Sequence, residues 1–149
     1  MTTVTADFTE VQVSVGNADG PPETFTPFCL VNMSKSVAKS SNLSEDEVPD
    51  CANPGDPADI RRQVRSIDYS ISGEGKLHVT DLATALGWVG GAAKNCQIDV
   101  GTSSNGGYRL EGPFLMQSFE IGSQRKETAT ATIQLVPSDT GSITETALT

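Results

Sequence analysis

Three stretches of the chain alternate apolar and polar residues with a period of two. Val11, Val13 and Val15 are interleaved with Glu10, Gln12 and Ser14. Ile67, Tyr69 and Ile71 are interleaved with Ser66, Asp68, Ser70 and Ser72, and Ala129, Ala131, Ile133 and Leu135 with Thr128, Thr130, Thr132 and Gln134. Successive side chains of a strand point to opposite faces, so this pattern predicts antiparallel strands with one face in a core and one face wet. Further strands are expected over Phe25–Asn32, Asn95–Val100 and Tyr108–Gly122, with SSNGG at Ser103–Gly107 supplying a turn. Only HVTDLATALGWVGGAA, beginning at His78, has helical spacing: Leu82, Leu86 and Val89 share a face, Thr80 is placed to cap it, and Gly90-Gly91 ends it. The expected fold is mainly β, an antiparallel β-sandwich or partly closed barrel with one flanking α-helix and a long extended loop.

A chain of 149 residues fits one domain, residues 1–149. Its loop is the segment SEDEVPDCANPGDPADIRR, Ser44 to Arg62, which carries Glu45, Asp46, Glu47, Asp50, Asp56 and Asp59 and three prolines, Pro49, Pro54 and Pro57. Such a segment could chelate calcium, but the ligand alternation of a calcium loop is absent. It could be a merely solvated loop, or an arm, residues 44–60, that becomes ordered against another molecule. With so little apolar surface it is expected to be mobile in a free monomer, with Arg61, Arg62 and Arg65 among the charges that set its register on a neighbour. The polar tail 138–149 is expected to be loose as well.

Composition changes this picture in one respect. Apolar residues make up 36% of the chain and aromatics 5%, so the core is thin and association is expected to complete its stability. The net charge is -9 and the ten basic residues are scattered, which argues against tight nucleic-acid binding. The first residues show no leader pattern, and no stretch approaches membrane-spanning length. Cys29, Cys51 and Cys96 fit neither a disulfide framework nor a zinc motif and read as reduced thiols.

Catalytic chemistry finds no constellation. The single histidine, His78, has no ligand-spaced partners and reads as a surface or capping residue. GEGK at Gly73–Lys76 lacks the first glycine and the Ser/Thr of a phosphate loop and reads as a turn. No G-x-S-x-G occurs, no cofactor or metal is expected, and Trp88 reads as a core residue.

Taken in order, the strand RSIDYSISGEGKL, the helix LATALGWVGGAAKN, the strand NCQIDVG, then GGYRLEGPFLMQSFEIG and the closing strand KETATATIQLVPSDTG resemble the tail tube proteins of long-tailed, non-contractile bacteriophages. The likeness covers roughly Arg61 to Gly141. It implies a β-sandwich with a flanking helix that forms hexameric rings, stacked into a hollow tube around a tape measure protein and joined to tail tip and tail terminator proteins. It implies a virion protein assembled in the host bacterial cytoplasm, with no membrane insertion, whose lumen DNA crosses without tight binding. A lumen lined by acids and small hydroxyls would repel phosphates weakly and let the genome slide. The polar strand faces, Ser66, Asp68, Ser70, Ser72 and Thr128, Thr130, Thr132, Gln134, are the candidates for that lining, the alternative being that they face outward. The rivals are an inner tube protein of a contractile tail or tail-like system, and a stand-alone β-sandwich binding module. The few aromatics, Trp88, Tyr69 and Tyr108 among them, count against the module.

Overall fold

The computed structural model describes residues 11–16, 23–28, 33–101 and 106–148. Cys29, the rest of the strand expected up to Asn32, and most of the SSNGG turn lie outside the described residues. The elements are β1 (Val11–Gly16), β2 (Phe25–Pro27), β3 (Ser34–Val48), β4 (Asp59–Lys76), α1 (Val79–Trp88), β5 (Lys94–Val100), β6 (Tyr108–Gly122), β7 (Thr130–Pro137) and β8 (Thr144–Ala147). No helix among them is long and apolar enough to cross a membrane.

Every strand pairing is antiparallel, and the strands form one sheet in the order β2-β1-β5-β6-β7-β4-β3, with β8 paired to β6 off that path. The sheet does not close. It curls until β1 touches β3 and wraps one core as a sandwich does. The alternation explains which side is inside: Val13, Val15, Ile71, Ile98, Phe114, Met116, Ala131, Ile133 and Leu135 are all buried. Each large side chain so buried contributes about 1.5–3 kcal/mol. Cys96 joins them, and burial pushes its thiol up to about 12, far from thiolate reactivity; Cys51 and Cys96 are both free.

The helix packs otherwise than its leucine spacing predicts. Ala85 and Trp88 are the buried residues, whereas Leu86 and Val89 are exposed. The tryptophan decides the orientation: its Nε1–H donates to the Phe114 carbonyl at 3.1 Å, and Phe28 meets its ring edge-on with centroids 6.0 Å apart. His78, not Thr80, is the N-cap residue, and it makes no side-chain cap bond. Gly73–Lys76 is also not a turn. It continues β4 against β7, with Gly73 opposite Ile133 and Gly75 opposite Ala131 on the inner face.

Nor is the C-terminal tail loose among its described residues. β7 covers β6 only from Phe114 onward, which leaves the Tyr108–Glu111 edge open on that side, and β8 pairs there, Glu111 with Thr144 through Tyr108 with Ala147. A 3-10 turn at Thr140–Ser142, held by the Asp139 carboxylate on the Gly141 N–H, leads the chain into place. It crosses directly over Gly112, where a Cβ would lie 2.9 Å from the Ser142 carbonyl oxygen and 2.5 Å from Ile143 Cδ1, so only glycine allows the approach.

A polar latch then ties β8 to the other half of the sheet. The Glu145 carboxylate accepts hydrogen bonds from Lys39 Nζ, at 2.7 Å, and from the Tyr69 hydroxyl. The Lys39 bond, followed by the Tyr69 bond, lowers the Glu145 pKa below its ordinary 4.5. A depressed carboxylate pKa means that its contribution is complete above the ordinary value and fades as pH falls through the lower folded value. The latch is therefore expected to loosen in acid. Amide exchange at Thr144–Ala147, measured relative to β5, should accelerate between pH 6 and pH 3, and the acceleration should be absent in Glu145→Gln.

Candidate functional site: a polar sheet face and a projecting hairpin

The face of the sheet away from the core is built by cross-strand register. Ser72 sits opposite Ser36 on β3 and Gln134 on β7; Glu74 opposite Thr132; Lys76 opposite Thr130. Across β7, Gln134 meets Ser118, Thr132 meets Glu120 and Thr130 meets Gly122 on β6. Toward the hairpin, Ser70, Asp68 and Ser66 continue the same face opposite Ala38, Ser40 and Asn42. Residues opposite one another in an antiparallel pair share a face, so seven of the eight expected lining residues come together on one surface. The eighth, Thr128, is exposed just before β7 and outside the ladder.

This surface is rich in hydroxyls and poor in cations. Its charges are Asp68, Glu74 and Glu120 against Lys76; the arginine of β6, Arg109, lies at the other end of that strand, paired with Asp99 on β5. Gln134 Nε2 donates to Ser70 Oγ at 3.4 Å, a weak contact. The alternation of β4 and β7 made part of this face legible. Ser36, Ser40, Asn42, Ser118 and Glu120 were missed because β3 carries almost no apolar alternation and β6 contains an irregularity between Met116 and Ser118 that breaks its period. Beside this face an open groove of about 640 Å³ is lined by Asp68, Ser70, Gln134, Trp88 and Gly90 among others. It brings one carboxylate and one serine together without a histidine.

The second feature is the β3–β4 hairpin. The acidic segment is not one extended loop: Glu45–Val48 are strand, paired with Asp59–Arg62, and the turn is confined to residues 49–58. β4 meets β7 only from Ile71 on, so from about Ser41 and Ile67 outward the two strands pair only with each other and form a projecting ribbon. Strand pairing supplies the backbone hydrogen bonds that the apolar content of the segment could not have foretold.

The charged residues are used partly within this arm. Arg62 Nε lies 2.9 Å from Glu45 Oε1, Arg61 is directly opposite Asp46, and Arg65 falls at a register shift beside Asn42/Leu43. Asp50 accepts from the Ala52 N–H at 2.9 Å and from Asn53 Nδ2 at 3.4 Å, which holds its carboxyl below the usual range and closes the turn. Glu47 lies opposite Ile60, while Asp56 and Asp59 are exposed at the far end. No group of three or more His, Cys, Asp or Glu among the described residues is placed to hold a metal ion.

No protein-family model matches the chain, and no curated protein matches it. Solved structures do. A chain of the tail of an empty gene transfer agent particle, of C6 symmetry, superposes with a TM-score of 0.64 at 13% identity, over 90% of this chain and 95% of that one. A chain of the anti-feeding prophage baseplate, 6-fold symmetrised, gives 0.62 at 12% identity over 98% and 97%. The SPP1 tail tube gives 0.55 at 11% identity over 93% and 76%. The chain shares the fold of these tail and baseplate subunits. At such identities the likeness is one of fold, and the anti-feeding prophage match leaves only 2% of the chain uncovered.

Proposed function

We propose that the chain is a tail tube protein: copies join in six-membered rings that stack into a hollow tube, with the polar face of β3, β4, β7 and β6 lining the lumen. The observation that carries this reading is a pair of open edges bounding that face. Among the described residues β3 has no partner on its outer edge, and β6 has none over Leu115–Gly122 on the side away from β7. Strand direction alternates through β6-β7-β4-β3, so the β3 edge of one copy meets the β6 edge of the next as an antiparallel pair, and the sheet continues around the ring. Four strands from each of six copies, at about 4.8 Å per strand, give a circle roughly 37 Å across between backbones. That leaves room for a duplex.

The likeness to a tail of C6 symmetry supports the ring number, and the SPP1 tail tube supports the tube. The finer reading is a tube of a long-tailed, non-contractile phage, assembled in the host cytoplasm around a tape measure protein, closed by tail tip and terminator proteins, and crossed by DNA. The second reading is an inner tube of a contractile tail or tail-like system, which a sheath around isolated particles would reveal.

Negative-stain microscopy with sedimentation tests the proposal. Purified chain, with tail assembly factors added if it needs them, should form hollow rings or tubes of uniform width; a strictly monomeric species at high concentration would contradict it. The same tubes should show no appreciable affinity for duplex DNA at moderate salt, because their lining carries no basic stripe. Tight, salt-sensitive retention of DNA would rule out a low-friction conduit.

A further inference from the structure

β6 belongs to both layers of the sandwich. Its residues 115–122 lie in the layer β3-β4-β7-β6 that carries the polar face, while residues 108–111 pair with β5 on one side and β8 on the other. β8 follows β7 along the same flank of β6 and in the same direction, after the detour of residues 138–143 over Gly112. β4 meets β7 only from Ile71, so Tyr69 and Lys39, which pair with each other, stand beyond the end of β7. There Glu145 meets them. Tyr69 is buried on the core-facing side of its layer, and Glu145 lies opposite Leu110, which packs against the core from the other layer. The three side chains therefore converge from the inner faces of both layers: the Glu145 carboxylate accepts from Lys39 Nζ at 2.7 Å and from the Tyr69 hydroxyl, and Nζ lies 5.6 Å from the Tyr69 ring centroid.

β3 and β6 also carry the two edges through which copies are proposed to join, so whatever fixes β3 relative to β6 sets the turn from one copy to the next. The sheet supplies one path between them, β6 to β7 to β4 to β3, in three strand-to-strand steps. Such steps twist by anything from about 10° to about 35°. A ring of six needs about 60° of turn per copy and a ring of seven roughly 9° less, or about 3° per step, so the sheet alone does not choose between them. Apolar packing presses the layers together but is non-directional. Glu145 supplies a second, directional path: β8 is fixed to β6 by backbone pairing, and its carboxylate is fixed to β3 and β4 by hydrogen bonds. A frame closed by two paths holds an angle that one path leaves free.

We propose that Glu145, with Lys39 and Tyr69, is a latch that sets the closure angle of the ring, so that copies close at six and not at a neighbouring number. This rests on the tube reading and adds what fixes its ring number. Glu145 is a positioning residue: it acts by holding β3 in place within its own copy. The bidentate Arg109–Asp99 pair offers a control, because it joins β5 to β6 within one layer and bridges no such gap.

The test counts rotational symmetry in end-on electron-microscope views of rings and short tubes. The parent chain should give six-fold views. Glu145→Ala should keep the fold, read from unchanged fluorescence of the buried Trp88, and lose half or more of its six-fold views to rings of other widths and unclosed arcs. Lys39→Glu combined with Glu145→Lys should restore the six-fold share where neither single reversal does, and Asp99→Ala should leave it unchanged. Views as uniformly six-fold in Glu145→Ala as in the parent, an equal spread in Asp99→Ala, or a double reversal no better than the single ones would overturn the latch and leave the tube reading standing. Loss of the fold or of all assembly in Glu145→Ala would overturn it too, since a latch of this kind shapes rings and does not build them. A parent chain that forms no rings or tubes would overturn both.

Discussion

A chain in which Asn42–Ser66 is replaced by Asn-Gly should fold as well as the parent and form no long tubes. The replacement joins the strands beyond the Ser41–Ile67 pair with a two-residue turn suited to an antiparallel hairpin. Almost every residue removed is exposed, and the ribbon outside this point pairs only with itself. The body therefore loses no core side chain, and its thermal midpoint should move by no more than a few degrees. With the arm as the contact proposed from its sequence, assembly loses a surface repeated on every copy, and multiplicity amplifies the loss. Sedimentation of the variant should show monomers or isolated rings at concentrations where the parent pellets as tubes. Variant tubes of normal length would reduce the arm to a solvated ribbon. Removing only the turn, Pro49–Ala58, should be milder, because the paired strands and their side chains remain.

Trp88→Ala should have the largest effect on stability. The indole is 1% exposed, is edge-on to Phe28 and donates to the Phe114 carbonyl, so truncation opens a cavity and leaves a buried acceptor without its donor. Aromatic-to-alanine changes in cores cost about 3–5 kcal/mol, a large share of the 5–15 kcal/mol typical of a domain. A loss of that size lowers the midpoint by roughly 10–15 °C in a chain of this length. Trp88→Phe keeps most of the volume and should lose less than half as much. Because α1 is held chiefly by Ala85 and Trp88, the alanine variant should also release the helix. A midpoint within about 3 °C of the parent would show that another contact fixes the helix.

The places where the sequence was legible share one property: a wet face alternating with a dry one. Ile67, Tyr69 and Ile71 and the run Ala129 to Leu135 located the body of β4 and nearly all of β7, and with them the polar face that alternates with the core. β3 was invisible to the same reasoning because most of SKSVAKSSNLSEDEV is exposed on both faces, so its strand conformation comes from pairing with β4 and not from its own pattern. The acidic arm was misjudged for the same reason. Its lack of apolar residues was read as mobility, while the backbone bonds to Asp59–Arg62 order its first part. The tail was misjudged because the open edge of β6 that receives β8 exists only once β7 and β6 are paired. Leucine spacing on α1 pointed to the wrong side, since one tryptophan with a carbonyl partner outweighs two leucines.

The central claim is that the hydroxyl-rich face of β3, β4, β7 and β6 lines the bore of a tube made by this chain. A helical reconstruction of the purified assemblies measures it directly. The prediction is a hollow six-fold tube in which Ser72, Thr132 and Gln134 face the lumen and the β3 edge of each copy pairs with the β6 edge of the next. Tubes whose bore is lined by α1, or by any surface other than this sheet face, would contradict it.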